Sequence, residues 1–570
     1  MSITFDQYRR ARHIADPAAA MLQTIIRPDP RGRASVHPRV LLTGMLLSID
    51  ACALATVTSI HRALTRDLPR DLQWDLGVLT GPARAPRTIT VDQLYKLTKR
   101  ISSHLDHTKT RAAHLPDAQR YARRAQLDAI TTELLTATLF ARDPGSCDYA
   151  LDGTGIWAAE RSPSKIGGDP PAEQTDDDTT TAATAQQRPT PTDGPARGRG
   201  NKGGSDAWYG GKTSKDGSRE MYFGYDLEAL IRVPPTSGPT SARTEPQLVE
   251  RLVVLPGSTD IVEPCLSMLD NLVAAGTSIS NLLVDRHYSY KKYHRWLKQL
   301  RARRINQVAD MHENDQGFAE WNGTLVAAGV PHCPGTPPEL GVIPTLGPNA
   351  SAAQRAEFAQ LIARRQAYAV QFVNRPDADG KMKTRCPARN GTIGCPLITG
   401  SQATAMHYGL PIVAAPPTGD DCPAICRNDT ATYRITTDGQ GTAMKMSQKD
   451  YWGSQKWQES YRRRTYVEGW FGIFKGTSST GYHRGSHEFR GLPMVSLVLA
   501  CAAALTNMRV LRSWHAETGL GETTHPLLQP DRPHYGFAEL TQEQAQAADT
   551  ENALAQQPIS PNATNRPKAA

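Results

Sequence analysis

Between residues 146 and 311 three β-type runs follow one another before the first helix, and that succession constrains the fold more than any other feature of the chain. YALDGTGIWA (149–158) is a short β-type run with an Asp inside it. MYFGYDLEALIRV (221–233) and LVERLVVLPGS (248–258) read as two more strands with a turn-rich connection. Residues 261–275 are helix-like, and NLLVDRHYSY (281–290) is an apolar strand ending in an Asp. A basic helix, KKYHRWLKQLRARR, and a further strand, INQVADM, complete the set. A doubly wound sheet alternates strand and helix throughout, so this order suits a mixed sheet better.

At 570 residues the chain is too long for one core, and two to four domains are expected. Residues 1–145 read as a helical domain, with apolar-periodic runs at 37–64, 91–105 and 117–142. Its arginine-bearing faces suit a DNA-end-binding module as well as an ordinary solvated helical domain. Within 146–311, the stretch 161–220 is rich in Pro, Gly, Thr, Asp and Gln and reads as a disordered loop. Residues 312–450 form a Pro-rich, irregular insertion with one helix candidate at 352–373. Residues 451–540 hold a second helical stretch, and 541–570 read as a disordered tail. The charged N-terminus lacks the apolar run of a signal peptide, and the apolar run 494–505 is too short to span a bilayer, so a cytoplasmic protein with no membrane partner is expected.

The stretch YRRRTYVEGWFGIFK (461–475) has two stripes when read as a helix. Tyr461, Arg464, Glu468 and Lys475 fall within roughly 60° of one another at 100° per residue. Val467, Trp470, Phe471 and Phe474 form the apolar stripe beside them, which assigns Trp470 to core packing rather than to stacking on a base. One carboxylate among three groups able to contact phosphate is a functional pattern; an ordinary surface Arg–Glu pair is the bland one. The formal net charge is +9, and between residues 441 and 490 nine basic residues face four acidic ones. Basic charge therefore concentrates around this helix, as a nucleic-acid track requires.

Three carboxylates stand out: Asp152 in the first strand, Asp285 at the end of a later strand, and Glu468 on the helix. Magnesium is a hard ion that takes oxygen ligands, and two such ions can activate an attacking oxygen and stabilise the leaving oxygen of a phosphodiester. An Asp at a strand end is also an ordinary turn residue. The spacing Tyr461, two residues, Arg464, three residues, Glu468, six residues, Lys475 resembles the Y-(2)-R-(3)-E-(6)-K signature of DDE transposases from bacterial insertion sequences, in the group named for insertion sequence four. LDGTGIWA resembles that family's first Asp motif and LLVDRHYSY its second.

The resemblance implies an RNase H-like catalytic domain with Asp152, Asp285 and Glu468 as the catalytic triad, holding Mg2+ (or Mn2+). It implies that the large insertion precedes the catalytic Glu helix, and that Tyr461, Arg464 and Lys475 contact DNA. The implied activity is cutting at transposon ends and joining the freed 3′-hydroxyls to target DNA, by a homodimer on double-stranded DNA in the bacterial nucleoid. A catalytically inactive DNA-binding descendant and an RNase H-like nuclease without strand transfer are the alternatives. His287, two residues beyond Asp285, stays outside the triad.

Nine cysteines in a chain of this length do not suggest a secreted disulfide scaffold. Cys386, Cys395, Cys422 and Cys426 form two close pairs in the insertion and offer the tetrahedral sulfur set that structural zinc takes; unligated thiols are the competing reading.

Overall fold

The computed structural model describes residues 2–531 apart from 27–35, 141–146, 161–205, 214–218, 237–244, 435–444, 477–479, 290, 313–314, 322–323, 345, 348, 376, 378, 418, 420–421 and 484, together with 546–547 and 550. The loop expected at 161–220 and the tail expected from 541 therefore lie largely outside the described residues.

The chain forms two compact units, one of residues 1–104 with 529 onward and one of residues 105–528. In the first, the helix Phe5–Ile25 opens on a capping box between Thr4 and Gln7 and buries Tyr8, Ala11, Ile14, Ala15, Ala18 and Leu22. Those spacings of three and four are what place one face of a helix against a core. The apolar run 37–64 is interrupted: Pro38–Cys52 ends at Ala53, whose left-handed φ of 54° turns the chain before Val57–Arg62 begins. The units divide at residue 104, so the helix Asp117–Thr136, read from sequence as part of the N-terminal helical region, belongs to the second unit.

The second unit is mixed α/β, built on a mixed sheet. Its elements are α1 (Asp117–Thr136), β1 (Cys147–Trp157), β2 (Trp208–Thr213), β3 (Arg219–Val233), β4 (Val249–Pro256), α2 (Val262–Ala274), β5 (Ile279–Val284), β6 (Asn306–Ala309), α3 (Gln455–Tyr461), α4 (Thr465–Lys475) and α5 (Leu492–Thr518). The strand order is β2-β3-β1-β5-β6, with β4 also pairing β3. The 15-residue β3 accommodates both partners on one edge: its first half pairs β2 and its second half β4. β1 runs antiparallel to β3, while β5 and β6 run parallel to β1. Alternation then sorts β1 by face. Tyr149 and Leu151 point into a core with Cys265, Leu269, Leu272, Leu282 and Trp296; Asp148, Ala150 and Asp152 share the other face.

The basic segment 291–304 is helical only over Leu297–Ala302. Trp296 is buried, with its indole N–H donating to Gln307 at 2.8 Å, and Arg304 takes a left-handed φ of 60° that ends the helix. The insertion carries two small antiparallel sheets, Ala319–Trp321 with Thr324–Ala327 and Val330–His332, and Gln371–Phe372 with Lys381–Arg385 and Ala431–Arg434. The helix between them, Ala352–Ala367, is shorter than the expected 352–373.

The closing helix α5 runs past the helix expected over 494–511 at both ends. It is long and apolar enough by length and composition to cross a membrane, and 89% of its most apolar window is buried inside the protein. Asn507 sits at its centre with every amide hydrogen-bonding position used. Its oxygen accepts from the Val249 N–H at 2.9 Å and the Trp470 indole N–H at 3.1 Å, and its nitrogen donates to the Val249 carbonyl and the Thr138 hydroxyl. A buried amide satisfied in this way fixes α4 against β4 and α5.

Candidate active site at the carboxylate edge of the sheet

Sheet register brings the first two carboxylates together. Ala150 lies opposite Leu283 on the parallel strand, so two residues further on Asp152 and Asp285 come side by side where β5 ends. In open sheets this carboxyl-end edge is where ligands bind, because helices and loops leave it clear. Asp285 accepts the His287 N–H at 2.9 Å, which turns the chain into the short helix Arg286–Ser289. His287 serves there through its backbone.

The third carboxylate arrives on α4, whose apolar stripe Val467, Trp470, Phe471 and Phe474 is buried as the spacing requires. The helix read over 461–475 is broken, however. α3 ends at Tyr461 and a 3-10 turn, Arg462–Arg464, separates it from α4. The break sends three consecutive arginines three ways. Arg462 donates to Gln458 on its own helix, at 3.4 Å. Arg463 is buried, pairs with Asp148 at 2.7 Å and donates to the Pro234 carbonyl. Arg464 pairs with Asp152 at 2.9 Å and with Glu468.

Arg464 thus links the first and third carboxylates. Its guanidinium lies 5.7 Å from the centre of the Tyr461 ring, and Tyr461 in turn stacks on Trp457 at 4.8 Å. At the far end of α4, Lys475 donates to the Thr154 hydroxyl at 2.6 Å, on the same strand as Asp152. The structure therefore gathers Tyr461, Arg464, Glu468 and Lys475 along β1. Trp470 is fully buried and bonded to Asn507, in the core role its stripe predicts.

The local charge is unbalanced. The Asp152 carboxyl is pushed up to about 6, first by burial and then by Asp285; Arg464 and the Gly153 N–H oppose this, and Glu468 adds to it. One arginine does not neutralise three acids, and a divalent cation with oxygen-ligand preference fits that donor set. Among the described residues, no group of three or more His, Cys, Asp or Glu side chains stands already arranged to hold a metal ion. The guanidinium of Arg464, between Asp152 and Glu468, is what keeps those two apart as an ion-paired set.

Three residues at the site were given no role from the sequence. Glu228, cross-strand from Gly153 on β3, is buried beneath the edge and accepts the Tyr288 hydroxyl at 2.8 Å. Burial pushes its carboxyl up to about 8, with Asp226, Asp152 and Asp285 adding to the shift. The LDGTG motif makes room for it: a Cβ on Gly153 would stand 2.3 Å from the Glu228 carboxyl, and one on Gly155 would stand 2.5 Å from the Tyr222 ring. Asp310 follows β6 as Asp285 follows β5, but it is engaged by Arg286 at 3.1 Å and by the Trp452 indole N–H. Asp148, only four residues before Asp152, is the partner of Arg463 and also accepts from the Asn281 backbone and side chain. Of these, Asp310 was readable as a second strand ending in Asp; a buried Glu inside a strand carries no such mark.

Away from the sheet, Cys386, Cys395 and Cys426 line one cavity together with Cys333, and Cys422 is buried nearby. No family model, no curated protein and no solved structure matches this chain. The functional assignment therefore rests on the residues and their arrangement.

Proposed function

We propose that the protein is a DDE-type DNA transposase with an RNase H-like catalytic sheet, cutting phosphodiester bonds at transposon ends and joining the 3′-hydroxyl ends to target DNA. The observation that carries this reading is the convergence of Asp152 and Asp285 on adjacent parallel strands with Glu468 tied to Asp152 through Arg464. The sheet supports it too, with an antiparallel β4-β3-β1 half continued by parallel β5 and β6. Asp152, Asp285 and Glu468 would hold Mg2+ or Mn2+, which when bound supplies activation of the attacking oxygen and stabilisation of the leaving one.

The chain's own groups divide the remaining work. Arg464 presents a planar, permanently charged donor at the carboxylate edge, suited to a phosphate oxygen. Tyr461 and Trp457 hold that guanidinium in place from below. Lys475, on the exposed rim, offers a point charge to the DNA backbone. In the first step a water oxygen forms a bond to phosphorus, the bond to the 3′-oxygen breaks, and that oxygen leaves as the hydroxyl. In the second, this hydroxyl attacks a target phosphodiester, so one P–O bond is exchanged for another. Double-stranded DNA is the partner, in the bacterial cytoplasm, and pairing two ends calls for a homodimer.

A second reading has its own support. Arg464 is ion-paired with two of the three acids, an arrangement that also suits a DNA-binding protein without cleavage. The test is incubation of the full chain and Mg2+ with a plasmid carrying the DNA that flanks its own coding region. Strand breaks at a flanking repeat and joined products are expected. Binding without breaks selects the inactive binder, and breaks without joining select a nuclease.

A further inference from the structure

Five of the nine cysteines lie in the insertion, at Cys333, Cys386, Cys395, Cys422 and Cys426, and four of them are followed by proline. No other cysteine in the chain precedes a proline. Proline has no N–H and a fixed φ, so after a Cys it leaves the next amides free to turn back on the sulfur and the carbonyl. Two of these segments make the same turn. The Gly335 N–H bonds the sulfur of Cys333 while the Thr336 N–H bonds its carbonyl at 3.0 Å. The Leu397 N–H bonds the sulfur of Cys395 while the Ile398 N–H bonds its carbonyl at 3.0 Å. Burial pushes both thiols up, and these backbone donors work against it, favouring the thiolate that ligates metal.

Three of the Cys-Pro segments, with Cys426 four residues beyond the fourth, are anchored around one cavity. Cys333 follows the strand Val330–His332 and bonds the Tyr368 carbonyl at 2.8 Å. Cys386 follows the strand Lys381–Arg385 and accepts the Asn390 N–H. Cys395 exchanges hydrogen bonds with the Ser401 hydroxyl, and Cys426 lies on the short helix Ala424–Arg427. Cys333, Cys386, Cys395 and Cys426 line a single cavity whose other walls are leucine, isoleucine and proline. All nine cysteines are free of disulfides.

We propose that Cys333, Cys386, Cys395 and Cys426 are the ligands of a structural zinc ion that closes the insertion, with Cys422 beside Cys426 outside the ligand set. The four cysteines line the cavity, while among the described residues no three such side chains stand already arranged to hold a metal ion, so the ion is what draws the sulfurs in. The Cys426 thiol is held up by burial and by Cys333, Cys422 and Cys386, which reports the crowding of these sulfurs. Binding exchanges four S–H bonds for four S–Zn bonds and releases the protons to solvent, with no change of oxidation state. Four sulfurs leave no open position, so the ion staples rather than reacts. It serves a region of short strands and two small three-stranded sheets. His332 takes no part: it is buried between the Val330 carbonyl and the Tyr451 hydroxyl.

The experiment is metal analysis of the full chain, with Co2+ substitution as a spectroscopic probe. The expected result is one zinc per chain and a tetrahedral thiolate spectrum with cobalt. Cys333→Ser, Cys386→Ser, Cys395→Ser and Cys426→Ser should each lose most of the metal, and Cys422→Ser and Cys501→Ser should keep it. Because a ligand variant can fail to fold, alkylation of the wild-type chain supplies a second arm: the four thiols should become reactive together only after chelation. Absence of zinc after exposure to Zn2+, a disulfide among these cysteines, or full retention of metal by Cys333→Ser would overturn the proposal. Metal content is independent of DNA cleavage, so this test and that of the transposase reading fail separately.

Discussion

The sheet edge and the insertion each gather like groups that repel when ionised, and they handle the conflict differently. At the sheet edge the protein supplies its own cations: Arg464 between Asp152 and Glu468, and Arg463 on Asp148. It also pushes one acid toward its neutral form, with burial raising the Glu228 carboxyl against the opposing Tyr288 hydroxyl that donates to it. In the insertion the leading influences on Cys333, Cys395 and Cys426 are burial, backbone N–H groups and other cysteines, with no cation among them. A site that carries its own counter-charge can assemble before its ligand arrives and exchange it. A site without one depends on the ion for its closed form. That is the difference between a reactive centre and a staple.

The strongest way to break this contrast is Glu468→Gln. It keeps the side-chain shape and removes the charge, and strand cleavage should fall by about 10³-fold or more while binding to end DNA persists. Retained cleavage in a gel assay would remove Glu468 from the site. The neutral acid comes next. Folded Glu228 keeps its proton up to about 8 against the usual 4.5. Below the lower value both states are protonated, and stability from this group is complete. Between the two, only the unfolded chain ionises, so stability falls by about 1.4 kcal/mol per pH unit, on the order of 5 kcal/mol in all. Glu228→Gln should abolish this slope in denaturant midpoints measured across pH; an unchanged slope would show that the carboxyl ionises in the folded protein.

Asn507→Ala tests how the Glu helix is held. It leaves the Val249 N–H and carbonyl and the Trp470 indole without partners, and should cost about 2–4 kcal/mol in urea unfolding. A loss below 1 kcal/mol, on the order of one ordinary hydrogen bond, would mean that packing alone seats α4. The smallest effect is expected at the rim. Lys475→Ala should lower the slope of log affinity against log salt by about 1, with little change in cleavage at saturating DNA; an unaltered slope would remove Lys475 from the DNA contacts.

Much of the sheet was legible because its signals are local. Alternation marked β1, β3 and β4, and the Asp at each strand end marked where chains leave the sheet. What was hidden depends on partners distant in sequence. The spacing of Tyr461, Arg464, Glu468 and Lys475 suggests one helix, yet the turn at Arg462–Arg464 reorganises it, because Arg463 is drawn into the core by Asp148. Lys291 to Arg304 has helical periodicity, but burial of Trp296 and the left-handed Arg304 confine the helix to six residues. Glu228 and Asn507 look unremarkable in sequence, since their roles exist only once β1, β3 and α5 are packed. Among the cysteines, pair spacing concealed Cys333, whereas the repeated Cys-Pro dipeptide marks it.

The central claim is that Asp152, Asp285 and Glu468 work as one metal-binding set. Its most direct measurement is Mn2+ uptake by the full chain, followed through the loss of the free-ion resonance signal in wild type and in Asp152→Asn, Asp285→Asn and Glu468→Gln. Tight uptake is predicted for the wild type, and its loss in each single substitution. Wild-type uptake in any one of the three would contradict the account.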